Sequence, residues 1–248
     1  MAPMTPIHLH IANKSYPAAG ANPPHQAIAN FSLRLQPGEF VCLVGPSGCG
    51  KTTLLNILAG LDSDYQGSIQ ASPAAHPPKI GYVFQNPRLL PWRTVQENLE
   101  LAQPTPDLRA IDALLAAMQL SAFRHTYPER LSLGMSRRVA IIRAFAANPD
   151  LLLMDEPFVS LDAPTARQVR ELLLSLWQQR PHNVLFVTHD LREAIALADR
   201  LVFTSAAPMQ IVSEIPVTLP RNQRHLNEKI EVFRQHLLTE HASIKNLL

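Results

Sequence analysis

Hydrophobic and polar residues alternate near the start of the chain in the pattern of half-buried β-strands. Ile7, Leu9 and Ile11 are separated by histidines, and residues 28–35 repeat the alternation with Phe31, Leu33 and Leu35. Because successive side chains of a strand point to opposite faces, each segment has one apolar and one polar face. The pattern predicts antiparallel β-structure at this end of the chain, with one face buried.

Three continuous apolar runs follow, at residues 40–44, 151–154 and 184–187. Such runs are typical of parallel strands that helices cover on both faces. The first run leads into a glycine-rich turn, and residues 52–59 then have the apolar spacing of a helix. A shorter strand is predicted at residues 80–84. The order of strand, glycine loop and helix predicts an α/β core.

Helical periodicity separates the early strands from the later ones. Apolar residues spaced i, i+3, i+4 and i+7 predict a helix around Ile111–Met118, and a second helix is predicted over residues 139–147. A stripe from Leu226 to Leu237 predicts a closing helix. We therefore predict one domain over residues 1–248, with a core (1–87 and 150–204), an inserted α-helical lobe (88–149) and a C-terminal extension (205–248).

The composition is that of a folded domain, since 46% of the 248 residues are hydrophobic and 17% are charged. The 22 basic and 20 acidic residues give a net charge of +2, which does not suggest a nucleic-acid partner. Two cysteines are too few for a disulfide framework and favour a reducing compartment. Neither a signal peptide nor a run of about 18 apolar residues is found, so we expect a cytoplasmic protein without membrane spans.

A phosphate-binding loop is indicated between the first apolar run and its helix. The segment matches G-x-x-x-x-G-K-[ST] after a strand and before a helix, as that motif requires. Its backbone N–H groups can close around phosphate oxygens, with Lys51 on the β- and γ-phosphates and the Thr52 hydroxyl on Mg²⁺. An ordinary glycine-rich turn does not explain Lys51 and Thr52 at this offset. The predicted ligands are ATP and Mg²⁺, and the predicted binding residues are Gly45, Pro46, Ser47, Gly48, Cys49, Gly50, Lys51, Thr52 and Thr53.

Asp155 and Glu156 form an acid pair directly after the second apolar run. Open α/β sheets bind ligands at the carboxyl ends of their strands. We expect Asp155 to hold Mg²⁺ and Glu156 to orient the attacking water, because phosphoryl transfer depends on positioning and charge neutralisation. An acid pair seen alone is usually only solvated, but the phosphate loop favours the catalytic interpretation.

These motifs resemble those of the ATP-binding subunits of ABC transporters, over nearly the full chain. The resemblance implies a P-loop NTPase fold of the RecA-like type and four further site residues. The four are Gln85 as the Q-loop glutamine that reaches Mg²⁺ or water, Asp162 of the D-loop, His189 as the switch histidine, and Tyr16 as the aromatic that stacks on adenine. For two of them an ordinary role is the alternative: most histidines are surface or core residues, and Tyr16 could also be a turn residue before Pro17.

Residues 131–135 (Leu-Ser-Leu-Gly-Met) are similar to the signature segment of that family. Ser132 suits the N-cap position of a helix, whose free N–H groups could meet a γ-phosphate presented by a second subunit. The resemblance thus implies a head-to-tail dimer with a second copy, in which Ser132 and Gly134 contact nucleotide. Leu133 and Met135 replace the usual glycine and glutamine. At positive φ Leu133 would cost about 1–2 kcal/mol, whereas at negative φ its side chain could point away, which we expect.

Met135 and residues 85–92 are similar to the nitrate, sulfonate and taurine importer branch of the family. This branch implies an integral membrane permease as partner, a periplasmic or extracellular solute-binding protein as indirect partner, and a place on the inner face of the plasma membrane. Trp92 could fill a packing gap, or residues 88–93 could form part of a groove for a permease helix, and both could hold. Arg137 and Arg138 are predicted to form a solvated helix face, since two adjacent charges make no nucleic-acid stripe.

The sequence therefore predicts the ATP-hydrolysing subunit of an ABC importer. Its predicted catalytic residues are Glu156, His189 and Gln85, and its predicted metal-binding residues are Thr52, Gln85 and Asp155. One alternative is a soluble ABC-type ATPase that acts on nucleic acid or the ribosome, although such proteins usually carry two ATPase domains or a long coiled coil. Another is a P-loop kinase, which would leave the signature segment, the D-loop and His189 unexplained.

Overall fold

The structure of the chain is a computed structural model that describes residues 6–18, 20, 23–71, 78–245 and 247. Residues 1–5, at the start of the segment considered for a signal peptide, lie outside this set. The chain divides into two units. The first combines the N-terminal part of the chain with Asn183–Leu248, and the second is Pro78–His182.

The strands are β1 (Ile7–Tyr16), β2 (His25–Leu35), β3 (Phe40–Val44), β4 (Gln66–Ala71), β5 (Ile80–Val83), β6 (Leu151–Asp155), β7 (Asn183–Thr188), β8 (Arg200–Thr204) and β9 (Ile211–Pro216). The helices are α1 (Lys51–Leu58), α2 (Val95–Glu100), α3 (Leu108–Ala117), α4 (Leu133–Ala146), α5 (Ala163–Gln179), α6 (Leu191–Leu197), α7 (Asn227–Glu240) and α8 (Ala242–Lys245). No helix in the described ranges is both long and apolar enough to span a membrane.

The first unit contains a three-stranded antiparallel sheet in which β1 lies between β2 and β4. Ile7 pairs with Leu35 and Ile11 with Phe31, and all four side chains are buried. His8 lies on the opposite face and is exposed. The antiparallel strands predicted from the alternation are therefore confirmed, and β1 continues beyond the predicted segment as far as Tyr16.

The same unit contains parallel strands with β3 between β7 and β8, while β9 runs antiparallel to β8. Every residue of β3 and β7 is buried, as predicted for continuous apolar runs. Burying one Val, Leu or Phe side chain fully contributes about 1.5–3 kcal/mol, so these two strands anchor the unit. They also fix the loops that leave their carboxyl ends.

The second unit contains the parallel pair β5 and β6, with α2, α3 and α4 between them in the chain and α5 after them. The predicted insertion of helices between two strands is confirmed. Ile111, Leu115 and Met118 are buried, so the predicted stripe is the inner face of α3. The helix predicted over residues 139–147 is present as α4 and begins earlier, at Leu133, directly after the Ser132 cap that the sequence also predicts. The domain boundaries at 88, 149 and 204 stay predictions.

Candidate functional site

The loop between β3 and α1 wraps around the side chain of Lys51. The ammonium group of Lys51 donates hydrogen bonds to the carbonyl oxygens of Gly45 and Pro46, both at 2.8 Å, and the residue is buried. These bonds hold the lysine head inside the turn of its own loop. Ser47 and Gly48, farther out on the turn, are exposed. The loop thus combines accessible backbone with a fixed positive charge, the combination that a phosphate group needs.

Two glycines of this loop are required by geometry. Gly50 has a φ of 116°, and a Cβ there would lie 2.8 Å from the carbonyl oxygen of Ala27. A Cβ on Gly45 would lie 2.2 Å from Oγ1 of the buried Thr204. Gly50 is also the N-cap of α1 and provides no capping side chain, so no cap competes with an anion for the first N–H groups of the helix.

Tyr16, the predicted adenine-stacking residue, lies beside α1. Its hydroxyl is 3.3 Å from Oγ1 of Thr53 and 3.3 Å from Oδ2 of Asp62, and the residue is 40% exposed. The ammonium group of Lys14 lies 4.5 Å from the centre of the Tyr16 ring, which is within cation–π range. The structure thus brings Tyr16 next to the phosphate-binding helix, while its stacking on adenine stays a prediction.

Lys14 is a buried cation that sequence reasoning missed. Only 2% of its side chain is exposed, and its Nζ donates to Oδ1 of Asp62 at 2.9 Å and to the carbonyl oxygen of Asp64 at 2.7 Å. Burial by itself lowers the pKa of Lys14, but the hydrogen bond with Asp62 and the charge of its carboxylate raise it overall. The register of β1 against β4 shifts between Ile11 and Asn13. After the shift, the buried side chains no longer fall at every second residue as they do from Ile7 to Ile11, and Lys14 is buried. In the sequence, the apolar alternation simply stops after Ile11.

His189 and the phosphate loop leave neighbouring strand ends. Val44, the last residue of β3, pairs with Thr188, the last residue of β7, so the segments that follow them start side by side. His189 is exposed, and the next residue, Asp190, caps α6 by accepting a hydrogen bond from the backbone N–H of Arg192 at 2.8 Å. The structure therefore places His189 beside the phosphate loop. Its role towards a γ-phosphate stays a prediction.

In the second unit, β6 delivers the acid pair. Asp155 is buried at the end of the strand. The pKa of Tyr82 on β5 is raised, first because Tyr82 itself is largely removed from water and second because of the negative charge of Asp155. Glu156 follows with a φ of 44°. A residue other than glycine adopts this region at a cost of about 1–2 kcal/mol, and such strain is concentrated at functional sites. Because β5 and β6 are parallel neighbours, the exposed Gln85 leaves the same edge as the acid pair.

The signature segment opens α4. Ser132 is the N-cap, and its Oγ accepts a hydrogen bond from the backbone N–H of Met135 at 3.2 Å, as the sequence predicted. Leu133 is the first helical residue, has negative φ as expected, and is 44% exposed. The leucine therefore causes no backbone strain at this position. Contact of this segment with nucleotide stays a prediction.

Gly134 lies against the first turn of α5, the helix that Asp162 caps. A Cβ on Gly134 would lie 2.7 Å from Cγ2 of Thr165, so a larger residue here would require the Thr165 side chain to move. Asp162 is the N-cap of α5, and its Oδ1 accepts a hydrogen bond from the backbone N–H of Thr165 at 3.0 Å, which lowers the pKa of Asp162. The signature segment and the D-loop are therefore adjacent within the second unit. Contact of either residue with a nucleotide stays a prediction.

The prediction that Arg137 and Arg138 form a solvated face is wrong. Arg137 is only 3% exposed, and its guanidinium donates hydrogen bonds to the carbonyl oxygens of Gln85 and Val159. Arg138 is half-buried and donates to the carbonyl oxygen of Met118 at 2.9 Å. Loops distant in sequence cover this part of α4 and supply carbonyl groups, so the arginines turn inward instead of towards water.

The interpretation of Trp92 as a packing residue is also wrong, because the side chain is 68% exposed. The loop that carries it is held by the buried Asn98, whose side chain accepts a hydrogen bond from the backbone N–H of Leu90 at 2.8 Å. The same side chain donates to the carbonyl oxygens of Arg93 and Thr94 at 3.1 and 3.0 Å. Trp92 is therefore presented outward on a fixed loop.

Residues 28–159 match the protein family described as ABC transporter. The chain is 41% identical, over 221 residues, to the aliphatic sulfonates import ATP-binding protein SsuB of Bacillus cereus (strain ZK / E33L), covering 87% of this chain and 88% of that protein. It is 36% identical to the protein of the same name in Bacillus subtilis (strain 168), over 247 residues that cover 97% of this chain and 96% of the relative.

Two solved structures are also similar, with a TM-score of 0.72 in both cases. One is the dimeric structure of MJ0796, titled a bacterial ABC transporter cassette, at 31% identity, covering 85% of this chain and 98% of that chain. The other is a post-hydrolysis dimer of the same ATP-binding cassette bound to ADP and Pi, at 30% identity and with the same coverage. The predicted α/β fold of the P-loop NTPase class is confirmed by these similarities.

Proposed function

Because this chain belongs to the ABC transporter family of ATP-binding proteins, we propose that it hydrolyses ATP to energise the import of a small solute through a separate permease. Its relatives are named for the import of aliphatic sulfonates, and we infer a small sulfonate or a related anion as the solute. The observation that carries the proposal is the loop between β3 and α1, which holds Lys51 inside an exposed turn of backbone. Nothing in these relatives favours the nucleic-acid alternative.

The proposed chemistry uses groups that follow the carboxyl ends of β3, β6 and β7. Lys51 neutralises charge on the β- and γ-phosphates, while the uncapped N–H groups of α1 bind the phosphate oxygens. Glu156 accepts a hydrogen bond from the attacking water and so directs its lone pair towards phosphorus. His189 follows β7, the neighbour of the strand that leads into the phosphate loop, and aligns the γ-phosphate. Each group positions or stabilises charge, which is most of what phosphoryl transfer requires.

We propose Mg²⁺ as the accompanying cofactor. Thr52, Asp155 and Gln85 offer a hydroxyl, a carboxylate and an amide oxygen, the hard donors that Mg²⁺ prefers. The chemistry of this donor set fits the ion. When bound, the ion neutralises negative charge on phosphate oxygens.

Two direct protein partners and one indirect partner belong to the proposal. A second copy would contribute Ser132, Gly134 and Asp162 to the nucleotide bound by the first, in a head-to-tail dimer. The outward-facing Trp92 and its fixed loop suit contact with the permease, because rigidly held loops often carry binding functions. The subunit would then lie on the inner face of the membrane, with a solute-binding protein on the outer side.

The test compares Glu156→Gln with Lys51→Ala by gel filtration with and without Mg-ATP. We expect Glu156→Gln to bind ATP without turnover and to elute as a dimer with the nucleotide, because it keeps the phosphate site and lacks the group that orients water. Lys51→Ala should remain a monomer in both conditions. A Glu156→Gln protein that stays monomeric while saturated with ATP would contradict the shared site. Solute import is tested separately, by ATP-driven uptake of a labelled alkanesulfonate into proteoliposomes that contain the permease.

A further inference from the structure

The buried guanidinium of Arg137, in the second unit, has no ion pair with a carboxylate among the residues that the structure describes. Its two hydrogen bonds go to backbone carbonyl oxygens, those of Gln85 and Val159, the latter at 3.2 Å. Its Nε is buried and has no hydrogen-bond partner among the described residues. Burial lowers the pKa of Arg137. A buried charge of this kind costs several kcal/mol, so its position calls for a role besides stability.

The two carbonyl groups belong to segments that the proposed function uses. Gln85 follows β5 and is the residue proposed to reach Mg²⁺ or water. Val159 lies in the turn between Glu156 and Asp162. Arg137 itself lies in α4, one turn after Gly134. One planar guanidinium therefore connects α4, the helix that the signature segment opens, with the Q-loop at Gln85 and with the turn that leads to Asp162 of the D-loop.

Both loops contain backbone that does not hold its shape by itself. Arg88 in the first loop and Ser160 in the second have φ values of 45° and 65°, in the left-handed region that residues other than glycine rarely adopt. Surrounding contacts must stabilise such conformations. Arg143, on the same helix as Arg137, donates to the carbonyl oxygens of Pro87 and Arg88, both at 2.8 Å. The first loop is thus bound to α4 at two points, whereas Arg137 is the arginine that binds both loops.

We propose that Arg137 is a positioning residue that couples the place of the Gln85 side chain to the D-loop turn during ATP hydrolysis. Because the same fork holds both carbonyl groups, one loop cannot move relative to the other without breaking a charge-assisted hydrogen bond. This inference rests on the proposed function, and it adds a residue that none of the sequence motifs contains. Lysine cannot replace arginine here, since a single ammonium group lacks the planar fork.

The first experiment measures kcat, KM and ATP affinity of the full chain for Arg137→Lys and Arg137→Gln. Arg138→Gln is the matched control, because it removes a similar bond from the same helix to Met118, outside both loops. We expect both Arg137 variants to lose about tenfold or more in kcat, equivalent to about 1.4 kcal/mol, with ATP affinity within about twofold of the wild type. The control should keep kcat within about threefold. Equal losses in Arg137 and Arg138 variants, or Arg137 variants that do not fold, would overturn the proposal.

The second experiment repeats Arg137→Lys in a Gln85→Ala background. If Arg137 acts by placing the Gln85 side chain, the second substitution should lower kcat by less than about twofold, because there is no side chain left to place. A full tenfold loss in both backgrounds would show independent, structural effects and would refute the coupling. The two proposals fail differently. Wild-type turnover in Glu156→Gln would overturn the catalytic assignment, whereas an inactive Glu156→Gln with an additive cycle would overturn only the role of Arg137.

Discussion

Replacing Lys14 by methionine tests how strongly the buried ion pair stabilises the first unit. Methionine has a similar length and is apolar, so the substitution removes the charge and leaves little cavity. The hydrogen bonds from Nζ to Asp62 and to the carbonyl oxygen of Asp64 are lost, and the Asp62 carboxylate loses its cation. The expected result is a lower free energy of unfolding without a change of fold.

The magnitude follows from how exposed the remaining partner is. Removing one member of a fully buried pair costs about 3–5 kcal/mol, and a hydrogen bond to a charged group contributes about 1.5–3 kcal/mol. The side chain of Asp62 is 19% exposed and keeps hydrogen bonds from the backbone N–H of Asp64 and from the Tyr16 hydroxyl. Part of its charge therefore remains solvated and bonded. We expect a loss of about 2–3 kcal/mol.

The loss should depend on pH. Burial alone would raise the pKa of Asp62, but the hydrogen bond from Lys14 and the neighbouring donors hold it below its usual value of 3.8. Stability from a carboxylate with a lowered pKa is complete above that usual value and is lost as the pH falls through the folded value. The deficit of Lys14→Met should therefore be full at about pH 6 and shrink as the pH falls towards about 3.

Urea denaturation at several pH values provides the measurement, with the deficit taken from the midpoint and slope of each curve. Lys229→Met on α7 is the control, because Lys229 is exposed and should change stability by less than about 0.5 kcal/mol. Adding Asp62→Asn to Lys14→Met should recover part of the loss by removing the unpaired charge. A deficit below about 0.5 kcal/mol, or one that stays constant down to about pH 3, would refute the reasoning.

Three further predictions concern the proposed site. Leu133→Gly should change the ATPase rate by less than about tenfold, because Leu133 is already helical, and a much larger gain in a steady-state assay would mean that the leucine holds the site back. His189→Ala should lower hydrolysis sharply while ATP affinity stays nearly constant, and ordinary turnover would remove His189 from the catalytic group. Trp92→Ala should weaken binding to the permease by about 2 kcal/mol or more without affecting ATP binding. Co-purification of the subunit with the permease is the measurement, and an intact complex would place the contact elsewhere.

Local patterns account for what could be predicted from the sequence. The strand, glycine loop and helix around Lys51 are specified by residues close in the chain, and so is the capping of α4 by Ser132. The buried strands could be predicted because continuous apolar runs of this length are typical of strands covered on both faces. In each case neighbouring residues supply both the signal and the structure.

The contacts that were missed join segments far apart in the chain. Arg137 binds carbonyl groups that are 52 and 22 residues away, and Lys14 binds Asp62 at a separation of 48 residues. A backbone carbonyl carries no sequence signal, so the burial of Arg137 beside Arg138 was not apparent. For Lys14, the apolar alternation ends at Ile11, before the register shift after which the lysine is buried.

The left-handed backbone at Glu156 has a consequence for attempts to improve this protein. Glycine would adopt the φ of 44° freely, so exchanging Glu156 for glycine should stabilise the fold by up to about 1 kcal/mol after the loss of chain entropy is counted. The same exchange removes the carboxylate proposed to orient water. A laboratory selection for heat resistance alone would therefore favour a robust but inactive protein, and variants of this chain should be selected on turnover at every round.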